Sequence, residues 1–195
     1  NTSSAVALPA LQKLTDIPII GVIEPGAEQA AKTTINNRIG VIGTEGTINS
    51  GAYPAAIKKF LPEVQIFSVA CPLFVPLAEE GWLEHPAAEL ITKEYLTPLK
   101  EHKIDTLVLG CTHYPLLSKI IQQVMGQEVT LVDSAMAIAD YLSIYLSSEN
   151  DGQRGMDTFY VSDNEAKFAR IAERILNCQC SNLTKVRLFE SWFKE

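Results

Sequence analysis

Ile104-Asp105-Thr106-Leu107-Val108-Leu109-Gly110-Cys111-Thr112-His113-Tyr114-Pro115 is the stretch that decides the fold. A β-branched, mostly apolar run ends at a glycine, polar residues follow, and a proline stands where a helix would begin. Similar runs recur at Ile17–Ile23, Arg38–Gly43, Val64–Ala70, Val129–Val132 and Thr158–Val161. Between them lie segments of helical periodicity. These are Ala5–Lys13, Ala27–Thr34, Ile48–Phe60, Ala87–Glu101 with a bend expected at Pro98, Leu116–Met125, Met136–Leu146 and Asn164–Asn177. In the last, Phe168, Ile171, Ile175 and Leu176 share one face. Strand–helix alternation predicts an α/β fold with helices on the faces of a parallel sheet. Strands apolar on both sides agree with it. Ser147–Gly155, polar and glycine-containing, reads as a loop or linker.

Composition sets bounds. The chain has 195 residues, 47% of them hydrophobic and 20% charged. That excludes a disordered polypeptide. Sixteen basic against twenty-three acidic residues leave a net charge of −7. With no basic run, no nucleic-acid partner is expected. The apolar stretches are too short to span a membrane. No charged-then-apolar leader opens the sequence, so no secretory signal is expected. The four cysteines, Cys71, Cys111, Cys178 and Cys180, read as reduced cytosolic thiols.

The predicted strands run into Glu24-Pro25-Gly26, Thr44-Glu45-Gly46-Thr47, Cys71-Pro72, Cys111-Thr112-His113 and Asp133-Ser134. Open parallel sheets bind ligands beyond these carboxyl ends. The same residue types also cap helices, and Ser134 and Asp163 read as caps. Capping does not explain Cys111 and His113. Gly110 is expected to turn the backbone out of the strand, and Pro115 to open the next helix. A helix N-terminus lowers a thiol pKa and attracts carboxylates. His113 reaches the thiol if the path stays extended. A buried structural cysteine beside a packed histidine fits the spacing equally. Cys178-Gln179-Cys180 with Cys111 and His113 offers four zinc-type ligands, but Cys-x-Cys is tighter than the usual spacing, and no metal is expected. Cys71 reads as strand-end packing, and His85 and His102 as surface positions.

Taken in order, Gly21-Val22-Ile23-Glu24-Pro25-Gly26, Ile42-Gly43-Thr44-Glu45-Gly46-Thr47-Ile48, Cys71-Pro72-Leu73-Phe74-Val75-Pro76-Leu77 and Leu109-Gly110-Cys111-Thr112-His113-Tyr114-Pro115 resemble bacterial glutamate racemase, of the aspartate/glutamate racemase superfamily. The resemblance runs from Asn1 to at least Ser134. It implies two similar flavodoxin-like parallel-sheet domains facing each other across the active site. On that pattern, residues 24–132 form a complete α/β domain. Residues 1–23 with 133–195 are the remainder of a second, incomplete one.

The resemblance also implies cofactor-independent interconversion of L- and D-glutamate, with D-glutamate supplied to peptidoglycan. It implies a cytoplasmic enzyme that is a homodimer when intact, with no membrane or nucleic-acid partner. Two thiols would flank the substrate Cα, and Cys111 matches the second. His113 and Glu79 match assisting residues, Glu80 being the other register. Asn1, Thr2, Thr44, Thr47, Thr112 and His113 match substrate contacts. The chemistry is coherent, because thiols titrate near neutrality and can both take and give a proton. Fixed donors at the carboxylate would stabilise carbanion character. A racemase or isomerase acting on aspartate, a hydantoin or maleate, or a non-catalytic binding module, would use the same strand-end residues.

The family's first cysteine precedes an Asn-Thr pair, and this sequence opens with Asn1-Thr2. The expectation is that roughly a quarter of the family pattern, including that cysteine, is not contained in Asn1–Glu195, which alone would then lack racemase activity. A faint echo between Asn1-Thr2 and Cys111-Thr112 agrees with this register.

Overall fold

Four of the apolar runs become one sheet. The computed structural model describes residues 1–145, 157–176 and 179–187. The chain divides into two units, Asn1–Ser147 and Ser148–Glu195.

The first unit begins with two short helices, α1 (Thr2–Val6) and α2 (Leu8–Leu11), then α3 (Ile23–Thr33) and β1 (Arg38–Gly43). Next come α4 (Glu45–Asn49), α5 (Ala52–Phe60), β2 (Gln65–Ala70), α6 (Phe74–Glu80) and α7 (Pro86–Glu101). The unit closes with β3 (Thr106–Gly110), a 3-10 turn (Tyr114–Leu117), α8 (Ser118–Met125), β4 (Thr130–Asp133) and α9 (Ser134–Tyr145). The strands are parallel in the order β2-β1-β3-β4.

Side chains alternate across each strand, and both faces are covered. Ile39, Val41, Val108 and Val132 pack under α3 and α5, against Ile23, Ala27, Ala30, Tyr53 and Ile57. Ile42, Leu107 and Leu109 face the other way, against Phe74, Leu96, Leu99, Leu117 and Ile121. Each such side chain, fully buried, contributes about 1.5–3 kcal/mol.

At the amino end of the sheet Asp105 fastens the turn before β1. Its carboxylate accepts from Thr34 Oγ1 (2.6 Å), the backbone N–H groups of Ile35 and Asn36 (2.7 Å each) and Thr106 Oγ1 (3.0 Å). Partial burial pushes this carboxyl up, but those donors together outweigh it and hold it below the ordinary carboxylate value.

The second unit pairs β5 (Phe159–Val161) with β6 (Leu183–Lys185) in parallel beside α10 (Glu165–Leu176). The face expected on α10 is only partly buried: Phe168 and Ile171 are half-buried, whereas Ile175 and Leu176 are exposed, with Ala172 enclosed beside them. Asn164, not Asp163, caps this helix by accepting from the Lys167 N–H (2.9 Å).

Several expectations need correction. Ile17–Ile23 is not a strand. Residues 17–22 are irregular, Ile17 and Ile20 are exposed, and Ile23-Glu24-Pro25-Gly26 forms the first turn of α3. A strand needs a ladder partner, and among the described residues none lies beside this run. The segment Ile48–Phe60 is two helices, because Gly51 takes a left-handed φ of 66° between them. Ala5–Lys13 is likewise interrupted, at Ala7. Helix α7 has the extent expected, ending at Glu101 with Pro98 inside it. Neither α6 nor β6 was expected from the pattern. The loop expected at Ser147–Gly155 lies outside the described residues, as does Cys178.

Candidate active site

The sheet register lines up its carboxyl ends. Gly43 sits opposite both Ala70 and Gly110, and Leu109 opposite Asp133. Thr44, Cys71, Cys111 and Ser134 therefore leave neighbouring strands at one edge. Gly110 is required there for space. A Cβ on it would stand 2.7 Å from the Ile42 carbonyl oxygen and 3.0 Å from Tyr53 Cε2. The backbone does turn out of the strand after Gly110, but Gly110 itself is not left-handed; the left-handed glycines among the described residues are Gly51, Gly81 and Gly126.

After Gly110 the chain folds into a tight turn. The Tyr114 N–H donates to the Cys111 carbonyl (3.2 Å), and Leu116 N–H to that of His113 (3.1 Å). His113 has helical torsions rather than an extended path, and this turn brings its Nδ1 within 3.9 Å of Cys111 Sγ. Thr112 Oγ1 is 3.4 Å from the same nitrogen. On the other side of the ring, His113 Nε2 lies 3.6 Å from Glu79 Oε1. A carboxylate at Nε2 favours the tautomer protonated there, leaving Nδ1 as an acceptor. The thiol, imidazole and carboxylate thus lie in a row. Glu79 comes from α6, while Glu80 beside it is exposed.

Cys111 is 6% exposed. Burial pushes its thiol up, and the backbone N–H groups of His113 and Tyr114 and the Thr112 hydroxyl pull it down by less. The lowering expected from a helix N-terminus is present in kind, but desolvation outweighs it. Cys71 is completely buried, and burial pushes its thiol far up. Its sulfur points to the Val69 carbonyl oxygen (3.8 Å). It is a packing residue, as its place after β2 implied.

At the neighbouring strand end three hydroxyls form a triangle. Thr2 Oγ1 is 2.8 Å from Thr44 Oγ1 and 3.1 Å from Thr47 Oγ1, and the last two are 3.1 Å apart. Thr44 caps α4 by accepting from the Thr47 N–H (3.3 Å). Asn1 lies in the same region, with Nδ2 donating to Ser134 Oγ (3.1 Å) and Oδ1 accepting from the Tyr53 hydroxyl (2.6 Å). Ser134 is buried and is not a cap. Its hydroxyl donates to the Leu109 carbonyl (3.3 Å), while Asp133 Oδ1 caps α9 by accepting from the Ala135 N–H (2.7 Å).

All residues named as candidates in the first unit therefore sit along the carboxyl edge of β1, β3 and β4 or on α6 above it. Tyr53 and Ser134 also adjoin this cluster; Tyr53 was not singled out in the sequence, and Ser134 was read there as a cap. The one signal for Tyr53 was a pair of glycines, Gly26 and Gly110, whose missing Cβ atoms leave room for its ring.

His85 and His102 are exposed as expected, stacked on Trp82 and Phe67. Cys180 belongs to the second unit. Among the described residues, no group of three or more His, Cys, Asp or Glu side chains is placed to hold a metal ion. No described helix is long and apolar enough to cross a membrane. A groove of about 590 Å³ lined by α1, α2, residues 19–21, α3 and α5 contains none of the candidate residues.

Comparison with known proteins agrees with this geometry. Residues 1–142 match the family model "Asp/Glu/Hydantoin racemase". The chain is 49% identical over 192 residues to a glutamate racemase of Geobacter metallireducens, covering 96% of this chain and 71% of that protein. It superposes on the crystal structure of the glutamate racemase isoform RacE1 from Bacillus anthracis with a TM-score of 0.87 at 38% identity, covering 96% of this chain and 71% of that one. For the Francisella tularensis glutamate racemase in complex with D-glutamate, the TM-score is 0.83 at 35% identity, covering 95% and 70%. With four parallel strands in place and the thiol at their carboxyl edge, the chain belongs to the glutamate racemases of the Asp/Glu/hydantoin racemase family, isomerases of amino acids.

Proposed function

We propose that Cys111 exchanges the α-proton at one face of the glutamate Cα, and that a second thiol serves the opposite face. The observation that carries this is the row Cys111 Sγ, His113 Nδ1, His113 Nε2, Glu79 Oε1, with separations of 3.9 Å and 3.6 Å between residues. A buried thiol held protonated needs a nearby base to yield the thiolate that takes the α-proton. His113 accepts that proton, and Glu79 stabilises the imidazolium that results. Thr2, Thr44, Thr47, Thr112 and the Asn1 amide supply donors for the substrate carboxylates, where charge develops as the proton leaves. No cofactor takes part in this scheme.

Inversion needs a donor on each face. Among the described cysteines of the first unit, Cys71 is enclosed in the core and does not reach the hydroxyl cluster. Asn1–Glu195 by itself is therefore proposed to exchange without racemising. The two-domain division, 24–132 against 1–23 with 133–195, belongs to the same proposal. So do a homodimer, a cytoplasmic place, and a role in supplying D-glutamate to peptidoglycan; each rests on the resemblance to glutamate racemases.

The test is proton exchange in D2O, followed by NMR at the α-carbon. The chain should introduce deuterium into one enantiomer of glutamate with its configuration kept, and Cys111→Ala should abolish this. Exchange persisting in Cys111→Ala, or exchange of aspartate in preference to glutamate, would reject the assignment.

A further inference from the structure

We propose that Tyr53 is a positioning residue, which fixes the orientation of the Asn1 amide through a one-way chain of hydrogen bonds from Tyr53 to the β3 backbone. The inference rests on the reading of the site given above and adds a residue which that reading does not assign.

The ring of Tyr53 is 1% exposed and is wedged between two glycines. A Cβ on Gly26 would be 3.3 Å from the Tyr53 hydroxyl, and one on Gly110 would be 3.0 Å from Cε2. Two backbone segments, the first turn of α3 and the end of β3, thus hold the ring where a side chain at either position would crowd it. The hydroxyl ends 2.6 Å from Asn1 Oδ1. Burial raises the phenol pKa far above its ordinary value, more than the nearby Ser134 hydroxyl lowers it. The group stays protonated at any working pH and is available as a donor.

The polarity of the other bonds is fixed independently. The Leu109 carbonyl can only accept, so the single hydroxyl hydrogen of Ser134 is committed to it. Ser134 Oγ then accepts from the Asn1 Nδ2 group, with the Tyr53 hydroxyl also nearby. The Ser134 end therefore selects the amide orientation, because a flipped amide would set Oδ1 against a hydroxyl whose hydrogen is already used on Leu109. The Tyr53 hydroxyl adds to this by donating to Oδ1. One Nδ2 hydrogen is used on Ser134, and the second is left to donate to a substrate carboxylate beside the threonine triangle. Tyr53 therefore acts on substrate through Asn1, without touching it.

Tyr53→Phe keeps the wedge and removes only the hydroxyl. The loss of one hydrogen bond together with misorientation of the amide should lower glutamate affinity, read by calorimetry, roughly tenfold. Asn1→Ala should weaken binding to a similar degree. The double variant should bind no more weakly than Asn1→Ala alone, because on this proposal Tyr53 acts through Asn1. A purely structural tyrosine would give effects that multiply. A second readout needs no glutamate. In 15N-labelled protein the Asn1 side-chain NH2 signals should shift in Tyr53→Phe and in Ser134→Ala, while the remaining Asn and Gln NH2 signals stay in place. Multiplying effects, parent-like affinity in Tyr53→Phe, or unmoved Asn1 NH2 signals would each overturn the proposal. Failure of the glutamate reading itself would appear instead in the α-proton exchange of Cys111→Ala.

Discussion

Replacing Gly110 with alanine asks how the sheet holds the reactive thiol. The added Cβ would stand 2.7 Å from the Ile42 carbonyl oxygen, 3.0 Å from Tyr53 Cε2 and 3.5 Å from its Cδ2. Neither obstacle can swing aside. The oxygen is backbone of β1, which is paired with β2 on one side and β3 on the other. The ring is caught against Gly26. The carboxyl end of β3 must therefore lift by several tenths of an ångström, and Cys111 is the next residue.

Overpacking of this kind costs about 1–3 kcal/mol, and two rigid neighbours place Gly110→Ala at the upper end. For a chain of this length each kcal/mol lowers the melting midpoint by about 2–4 °C, so a drop of about 6–12 °C is expected. The sign is diagnostic. Gly110 is not left-handed, and alanine at an unhindered position of that kind stabilises by about 0.4–1 kcal/mol through the unfolded chain. Thermal unfolding followed by circular dichroism reads the difference. A midpoint equal to or above that of the parent would refute the close-approach argument, and with it the account of how Tyr53 is held.

Other outcomes follow from the same observations. Because burial holds the Cys111 thiol above its ordinary value, α-proton exchange should climb as pH rises and keep climbing past about pH 8.5; a plateau near neutrality would contradict this. Asp105 is depressed by its four donors, so its stabilisation is present above the unfolded carboxyl pKa of about 3.9 and is lost as pH falls through the lower folded value. Asp105→Asn should flatten that acid limb, and at neutral pH should cost about 1–3 kcal/mol by leaving backbone N–H groups poorly paired, measured by urea unfolding. Cys71→Ala removes a sulfur from the core and should lower stability while leaving the exchange rate per folded molecule unchanged; loss of exchange would move Cys71 into the mechanism.

Much of the sheet was legible because its strands carry a local signal, an apolar run covered on both faces. Arg38–Gly43 is apolar on both faces and became β1 with the limits expected of it. Ile17–Ile23 carries the same signal and did not become a strand, because a strand depends on the neighbour that completes its ladder. Helix α6 escaped notice for a related reason. Phe74–Glu80 is short, with a proline inside, and its helical state follows from Phe74, Leu77 and Ala78 docking on the sheet. The residues at strand ends were legible as types: thiol, imidazole, hydroxyl and acid. Their couplings were not. The distance from Asn1 to Tyr53 or Ser134 along the chain is bridged only when α5 and α9 settle beside β3.

The sulfur at Cys111 is where the local reading and the folded environment disagree most usefully. Position after β3 and before a helical turn argues for an acidified thiol, and the N–H groups of His113 and Tyr114 do act in that direction. Their effect is smaller than that of removing the sulfur from water. A thiol so placed is kept neutral at rest, which protects it from oxidation, since susceptibility follows thiolate character. Its ionisation must then be coupled to a base that can hold the proton close by. His113 occupies that position only because the chain turns after Thr112, contrary to the extended path that spacing alone invites. Glu79, brought by a helix the periodicity did not announce, stands at the other ring nitrogen and, on the proposed mechanism, leaves Nδ1 free to receive that proton. On that proposal the motif supplies the acid, and the packing of α6 against the turn makes the acid usable.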